Sequence, residues 1–218
     1  MTSASATADA EAPYAQPVAE RRAETLLEMM LFIEMFTLNR AWNDLTDEEL
    51  LWEPMPGSWS VRPVEQSKTA TPFVVGSWEA DFDTPLVMAA IDGNAIEPLT
   101  SIAWLFWHVG SQPGRTAQLD FLGGQHTAES GWTSPYIAAH PIFTTAHEAV
   151  DAMRAGWREL DTALRSASDE RLEQPVRFWG YGGPGPMGTG AQIVASMLNE
   201  VSHHGTQMCT LRDLFAHR

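Results

Sequence analysis

The sequence predicts an all-α protein, a four-helix bundle with long irregular connections. Four long segments carry apolar residues at the three- and four-residue steps of amphipathic helices, and strand-like runs are short and isolated. No internal repeat suggests a solenoid. At 218 residues and 44% hydrophobic composition, the chain is long enough for one domain with a sizeable core.

The elements follow in order. MTSASATADAEAPYA, residues 1–15, is small, polar and acidic and lacks the basic and apolar regions of a signal peptide. It reads as a disordered tail ahead of a single domain over residues 16–218. From Ala19 to Trp42, Leu26, Met30 and Ile33 share one stripe of a first helix. Thr46 and Glu49 then form a T-x-x-E capping box for a short helical piece that Pro54 stops. Met55 to Pro98, with scattered Pro and Gly and the brief runs SWSV and FVV, reads as a long irregular connection whose strand signals are too weak to build a sheet. A second helix starts near Thr100 and stops at Gly123 and Gly124, with Pro113 kinking or dividing it.

Thr145 and Glu148 make another capping box, after which Val150, Met153, Trp157, Leu160 and Leu164 mark the cleanest amphipathic helix. FWGYGGPGPMGTG lacks the G-K-[ST] ending of a phosphate loop and reads as a flexible loop. The last helix runs from Ala191 to about Ala216.

A net charge of −15 and a pI near 4.7 argue against nucleic acid and against an anionic membrane surface, since both need clustered Lys and Arg. No run of about 18 apolar residues is present to span a bilayer. The single cysteine, Cys209, excludes an intrachain disulfide and reads as a buried small hydrophobe. A soluble cytoplasmic protein acting on a small-molecule substrate is expected.

One stripe of the last helix runs Ile193, Met197, Glu200, His204, Gln207, Leu211 and Leu214. A carboxylate in a core-facing row needs a cation, a donor or a proton. Glu200 and His204, four residues apart, reach one point from one helical face. His108, in WLFWHV on the second helix, is the candidate third group. Two histidines and one carboxylate suit Zn(II), Ni(II) or Fe(II). On spacing alone, a satisfied Glu–His pair is the commoner explanation of such a motif. His203, rotated about 100° from His204, reads as a surface or interface histidine. His126, His140, His147 and His217 show no ligand spacing.

LTDEELLWEPMPGSWSVRP, WLFWH and NEVSHHGTQMCTLRDLF together resemble the DinB-like metal-binding superfamily, which includes bacillithiol- and mycothiol-dependent S-transferases and the maleylpyruvate isomerase N-terminal domain. The resemblance implies a four-helix bundle, often a homodimer, with a divalent metal held by a histidine of the second helix and an H-x-x-x-H pair of the last. His108 and His204 match, Gln207 completes H-x-x-Q, and Glu200 stands where the family has the first histidine of the pair.

On that resemblance, the expected activity is a thiol S-transferase whose metal activates a low-molecular-weight thiol, mycothiol or bacillithiol, for attack on an electrophile. His108, Glu200 and His204 would be the metal ligands, and Gln207 would orient one of them. Arg115 and Arg212 are candidate anchors for the thiol's carboxylates. A metal-dependent hydrolase fits the same ligands. A non-catalytic binding or stress-response module with a pocket lined by Trp59, Trp104 and Trp107 is the alternative from another class, and a structural Glu200–His204 pair is a third.

Overall fold

The computed structural model describes residues 22–127, 140–180 and 183–218, so the expected tail over residues 1–15 lies outside the described residues. The described chain is mostly helical, as expected, but carries two small antiparallel sheets not expected from the sequence.

Helix α1 (Arg22–Ile33) continues through a π-helical turn (Glu34–Leu38) into α2 (Asn39–Trp42). The wider turn re-phases the buried row, so that Leu26, Met30 and Ile33 are followed inward by Leu38, Ala41 and Trp42. The capping box at α3 (Asp47–Leu51) forms as expected. Thr46 Oγ1 accepts from the Glu49 amide at 3.2 Å, and Glu49 Oε2 accepts from the Thr46 amide at 3.3 Å.

The connection from Met55 to Pro98 departs most from expectation. Strands β1 (Val61–Pro63), β2 (Phe73–Val75) and β3 (Trp78–Ala80) form an antiparallel sheet in the order β1-β3-β2, with Glu79 opposite both Arg62 and Val74. Three-residue strands are too short to display a period of two. Helix α4 (Thr84–Ile91) follows, and Asp83 caps it by accepting from the Leu86 amide at 3.1 Å. Its sequence TPLVMAAI is almost uniformly apolar and therefore carries no helical stripe.

Beneath the sheet, Arg62 Nε donates to Asp81 Oδ2 at 2.9 Å and Arg62 Nη1 to Glu53 Oε1 at 3.0 Å. The Ser60 amide adds a 2.8 Å bond to the same Asp81 oxygen. Trp59 joins this region to the next helix, accepting from the Ser101 amide and donating to the Leu99 carbonyl, each at 2.8 Å.

The second predicted helix is divided into α5 (Ile102–Val109) and α6 (Gln112–Ala117), with Pro113 in the first turn of α6, where its missing N–H costs nothing. A 3-10 turn (Asp120–Leu122) ends at Gly123, whose φ of 95° suits glycine. Helix α6 crosses α7 (Ala146–Ser166) at two glycines. A Cβ on Gly156 would stand 2.7 Å from the Gly114 nitrogen, so the backbones touch.

Helix α7 buries Val150, Met153, Trp157, Leu160 and Leu164, the expected row, and Thr145 caps it through the Glu148 amide at 3.3 Å. After α8 (Asp169–Leu172), β4 (Pro175–Gly180) pairs antiparallel with β5 (Gly183–Thr189), where a flexible loop was expected. The Gly- and Pro-rich β5 has little side-chain preference for strand, and its pairing rests on backbone bonds. Helix α9 (Gly190–Ala216) opens with a Thr189–Gln192 capping box. It packs against α1, the π turn and α5, while α7 packs against α1 and α6.

Candidate metal centre

Helix α9 buries Val194, Met197, Leu198, Val201, Gly205, Met208, Cys209 and Leu211. The core row is therefore rotated from the predicted stripe: Gln207 and Leu214 are exposed, and Glu200 and His204 sit at its margin. The Glu200 side chain is 44% exposed, so the cost expected of a buried carboxylate does not apply in full. Beside His204, Gly205 lets α9 approach the π turn closely, since a Cβ there would lie 2.7 Å from Thr37 Cγ2.

Helix α5 presents His108 from the other side. Its ring stacks on Trp104 with centroids 5.2 Å apart and planes 19° from parallel. The Trp104 indole N–H donates to the Asp81 carbonyl at 2.7 Å, so the chain just after β3 fixes the tryptophan that backs the histidine. The rings of His108 and His204 meet edge to face at 4.7 Å and 88°.

The three groups named from sequence converge. His204 Nε2 lies 3.3 Å and His108 Nε2 3.9 Å from the same oxygen, Glu200 Oε2. One ligand atom from each residue lies within 4.8 Å of the others, an arrangement that could hold a metal ion. Hydrogen bonds from His108 and then His204 hold the Glu200 carboxyl well below the usual carboxylate range, against the effect of burial. Burial pushes His108 below the ordinary imidazole value. An ionised carboxylate beside a histidine that resists protonation is the state a divalent cation needs. Among the described residues, Glu200's ion-pair partners are these two histidines and no Lys or Arg.

Gln207 is hydrogen-bonded to His204. Its Oε1 accepts from His204 Nδ1–H at 2.7 Å, which leaves Nε2 as the ring nitrogen turned towards Glu200. Gln207 Nε2 stands 3.3 Å from His203 Nε2 and donates to it. His203 thus sets which end of the Gln207 amide meets His204, a part that its place in the sequence does not reveal.

His140 also gains a role that spacing cannot show. Its Nδ1–H donates to the Trp107 carbonyl at 3.2 Å. Burial first, and then the charge of Arg115, pushes its pKa down to about 4.

Of the other expected site residues, Trp104 backs His108, whereas Arg212 is engaged elsewhere. Trp59, Trp104 and Trp107 are buried and pack on one another and on Phe73 and Phe82 at centroid distances of 5.1 to 5.8 Å. Arg212 is committed to Glu49 Oε1 at 2.8 Å and to the carbonyls of Arg40 and Asn43 at 2.7 Å each, so it closes the chain end of α2 instead of anchoring a ligand. Cys209 is buried against the Thr37 carbonyl, and burial pushes its thiol up, as suits a structural cysteine. No described helix is long and apolar enough to cross a membrane.

Set against known proteins, residues 76–208, more than half of the chain, match a model of the DinB superfamily. No curated protein and no solved structure matches.

Proposed function

The chain belongs to the DinB superfamily, and from that premise we propose that it is a divalent-metal-dependent enzyme of the low-molecular-weight-thiol S-transferase type. The observation that carries the reading is the meeting of two imidazole nitrogens and one carboxylate oxygen within 4.8 Å, with no cationic side chain paired to that carboxylate among the described residues. His108, Glu200 and His204 hold Zn(II), Ni(II) or Fe(II), and Gln207 keeps His204 in its ligating tautomer. When bound, the ion supplies a Lewis acid that favours the thiolate form of mycothiol, bacillithiol or a similar thiol.

The chain's own residues set the conditions around that thiol. Cys209 is buried with a raised pKa, so the nucleophile comes from a cofactor. Trp104 supports His108 from behind, and the exposed edge of Glu200 leaves the cluster open to a small molecule. In this reading α1–α2, α5–α6, α7 and α9 form the four-helix bundle, residues 16–218 act as one domain, and the protein works as a homodimer.

The test is spectroscopic. Protein loaded with Co(II) and titrated with mycothiol or bacillithiol is expected to develop a sulfur-to-metal charge-transfer band, absent from His204→Ala. A loaded wild type that shows no band, and does not accelerate loss of thiol in the presence of an electrophile, would overturn the thiol reading and leave the metal site standing.

A further inference from the structure

The outer face of α1 is apolar where a solvated helix would be polar. Leu26, Met30 and Ile33 point inward, while Met29, Leu31, Phe32, Met35 and Phe36 are exposed on the other side. Phe32 and Phe36 are 58% and 71% exposed, and their rings stack at 6.0 Å and 14°. Taking ~200 Å² for each whole residue, the five present on the order of 500 Å² of apolar surface, the size of patch that marks an interaction site.

Charge identifies the occupant. The chain carries −15, so two copies repel wherever their acidic surfaces meet and can pair only through a face poor in charge. This face is bounded by exposed Glu28 at one end and exposed Arg40 at the other, each four residues beyond a phenylalanine. A two-fold axis beside Glu34 sets Phe32 against Phe36 of a second copy and Glu28 against its Arg40. The pattern is self-complementary in antiparallel packing, as an isologous interface requires. Parallel packing would set Glu28 against Glu28 and Arg40 against Arg40. Arg40 already pairs with Asp213 at the surface, and its guanidinium fork can accept a second carboxylate.

We infer that the Met29–Phe36 face of α1 and the π turn that continues it is an interface with a second copy of this chain, packed antiparallel about Glu34. This rests on the homodimer reading above and adds the face and its direction. The apolar patch supplies more than half of the ~800 Å² per partner of a standard interface, with the flanking polar residues adding the remainder.

The test is sedimentation velocity on the full chain at micromolar concentration, beside the Phe32→Glu/Phe36→Glu variant and the charge swaps Glu28→Arg and Arg40→Glu. The wild type is expected to sediment as two chains and the double phenylalanine variant as one, with unchanged circular dichroism. Each single swap should weaken pairing about tenfold, and the two swaps together should restore it. A double phenylalanine variant that remains two chains would overturn the face while the homodimer stands. A wild type that sediments as one chain would overturn both, and if it also binds phosphatidylcholine vesicles the face belongs to a lipid surface instead. Swaps that do not rescue one another would overturn the antiparallel register.

Discussion

Two polar clusters in this protein have opposite characters. Under the sheet, Asp81 is buried and takes bonds from Arg62 and from the Ser60 amide, and Glu53 shares the same guanidinium with Lys68 at its side. At the α5–α9 margin, Glu200 faces two histidines. The first cluster carries its own cation. The second brings two imidazole nitrogens and a carboxylate oxygen together and includes none. A buried pair with its own guanidinium is a structural device, whereas converging neutral donors around a carboxylate leave a place for an added cation. Asp81 also links the two, since its carbonyl holds Trp104, which backs His108.

Five changes would break or sharpen that contrast. Arg62→Met leaves Asp81 charged and unpaired in the interior and is expected to cost about 3–5 kcal/mol in denaturant unfolding, the largest effect here. The protein that remains folded should still bind Zn(II). His108→Ala should do the reverse, weakening Zn(II) at least ~100-fold by calorimetry while stability in the absence of metal falls by only about 1–2 kcal/mol from the lost stack on Trp104.

Gln207→Leu frees His204 to adopt the other tautomer and should weaken metal binding about 10- to 100-fold. His203→Ala, acting only through Gln207, should cost no more than the low end of that range.

The effect that is smallest at neutral pH concerns titration. His140 moves from an ordinary 6.5 to about 4 on folding, so between those values the unfolded chain holds the extra proton. Stability therefore rises with pH through the window and is lost as pH falls from 6.5 towards 4. His140→Phe should flatten the unfolding free energy over that range by about 2–3 kcal/mol and leave pH 7.5 nearly unchanged.

What the sequence revealed follows the same division. Helical features were legible where a local signal specified them: the Thr46 and Thr145 caps, the Val150 to Leu164 row, and the meeting of Glu200 and His204 on one face of α9. The core row of α9 was misplaced by a fraction of a turn. Glycine at 205 and methionine at 208 face the core, while Gln207 and Leu214, which fit the predicted stripe, do not.

The sheet was not legible because VRP, FVV and WEA are each three residues long and find their partners only in three dimensions. For the same reason no spacing could show that His140 reaches Trp107, or that the Asp81 carbonyl holds Trp104. His203 was visible as a neighbour of His204, but its bond to Gln207 depends on rotamers that sequence does not state.

The most direct test of the metal assignment is elemental analysis of tag-free protein dialysed without chelator, wild type beside His108→Ala and Glu200→Ala. The account predicts one divalent ion per wild-type chain, lost from both variants while their circular dichroism is retained. A wild type that holds no ion even after reloading with Zn(II) and Ni(II) would contradict it and leave His108, Glu200 and His204 as a hydrogen-bonded structural cluster.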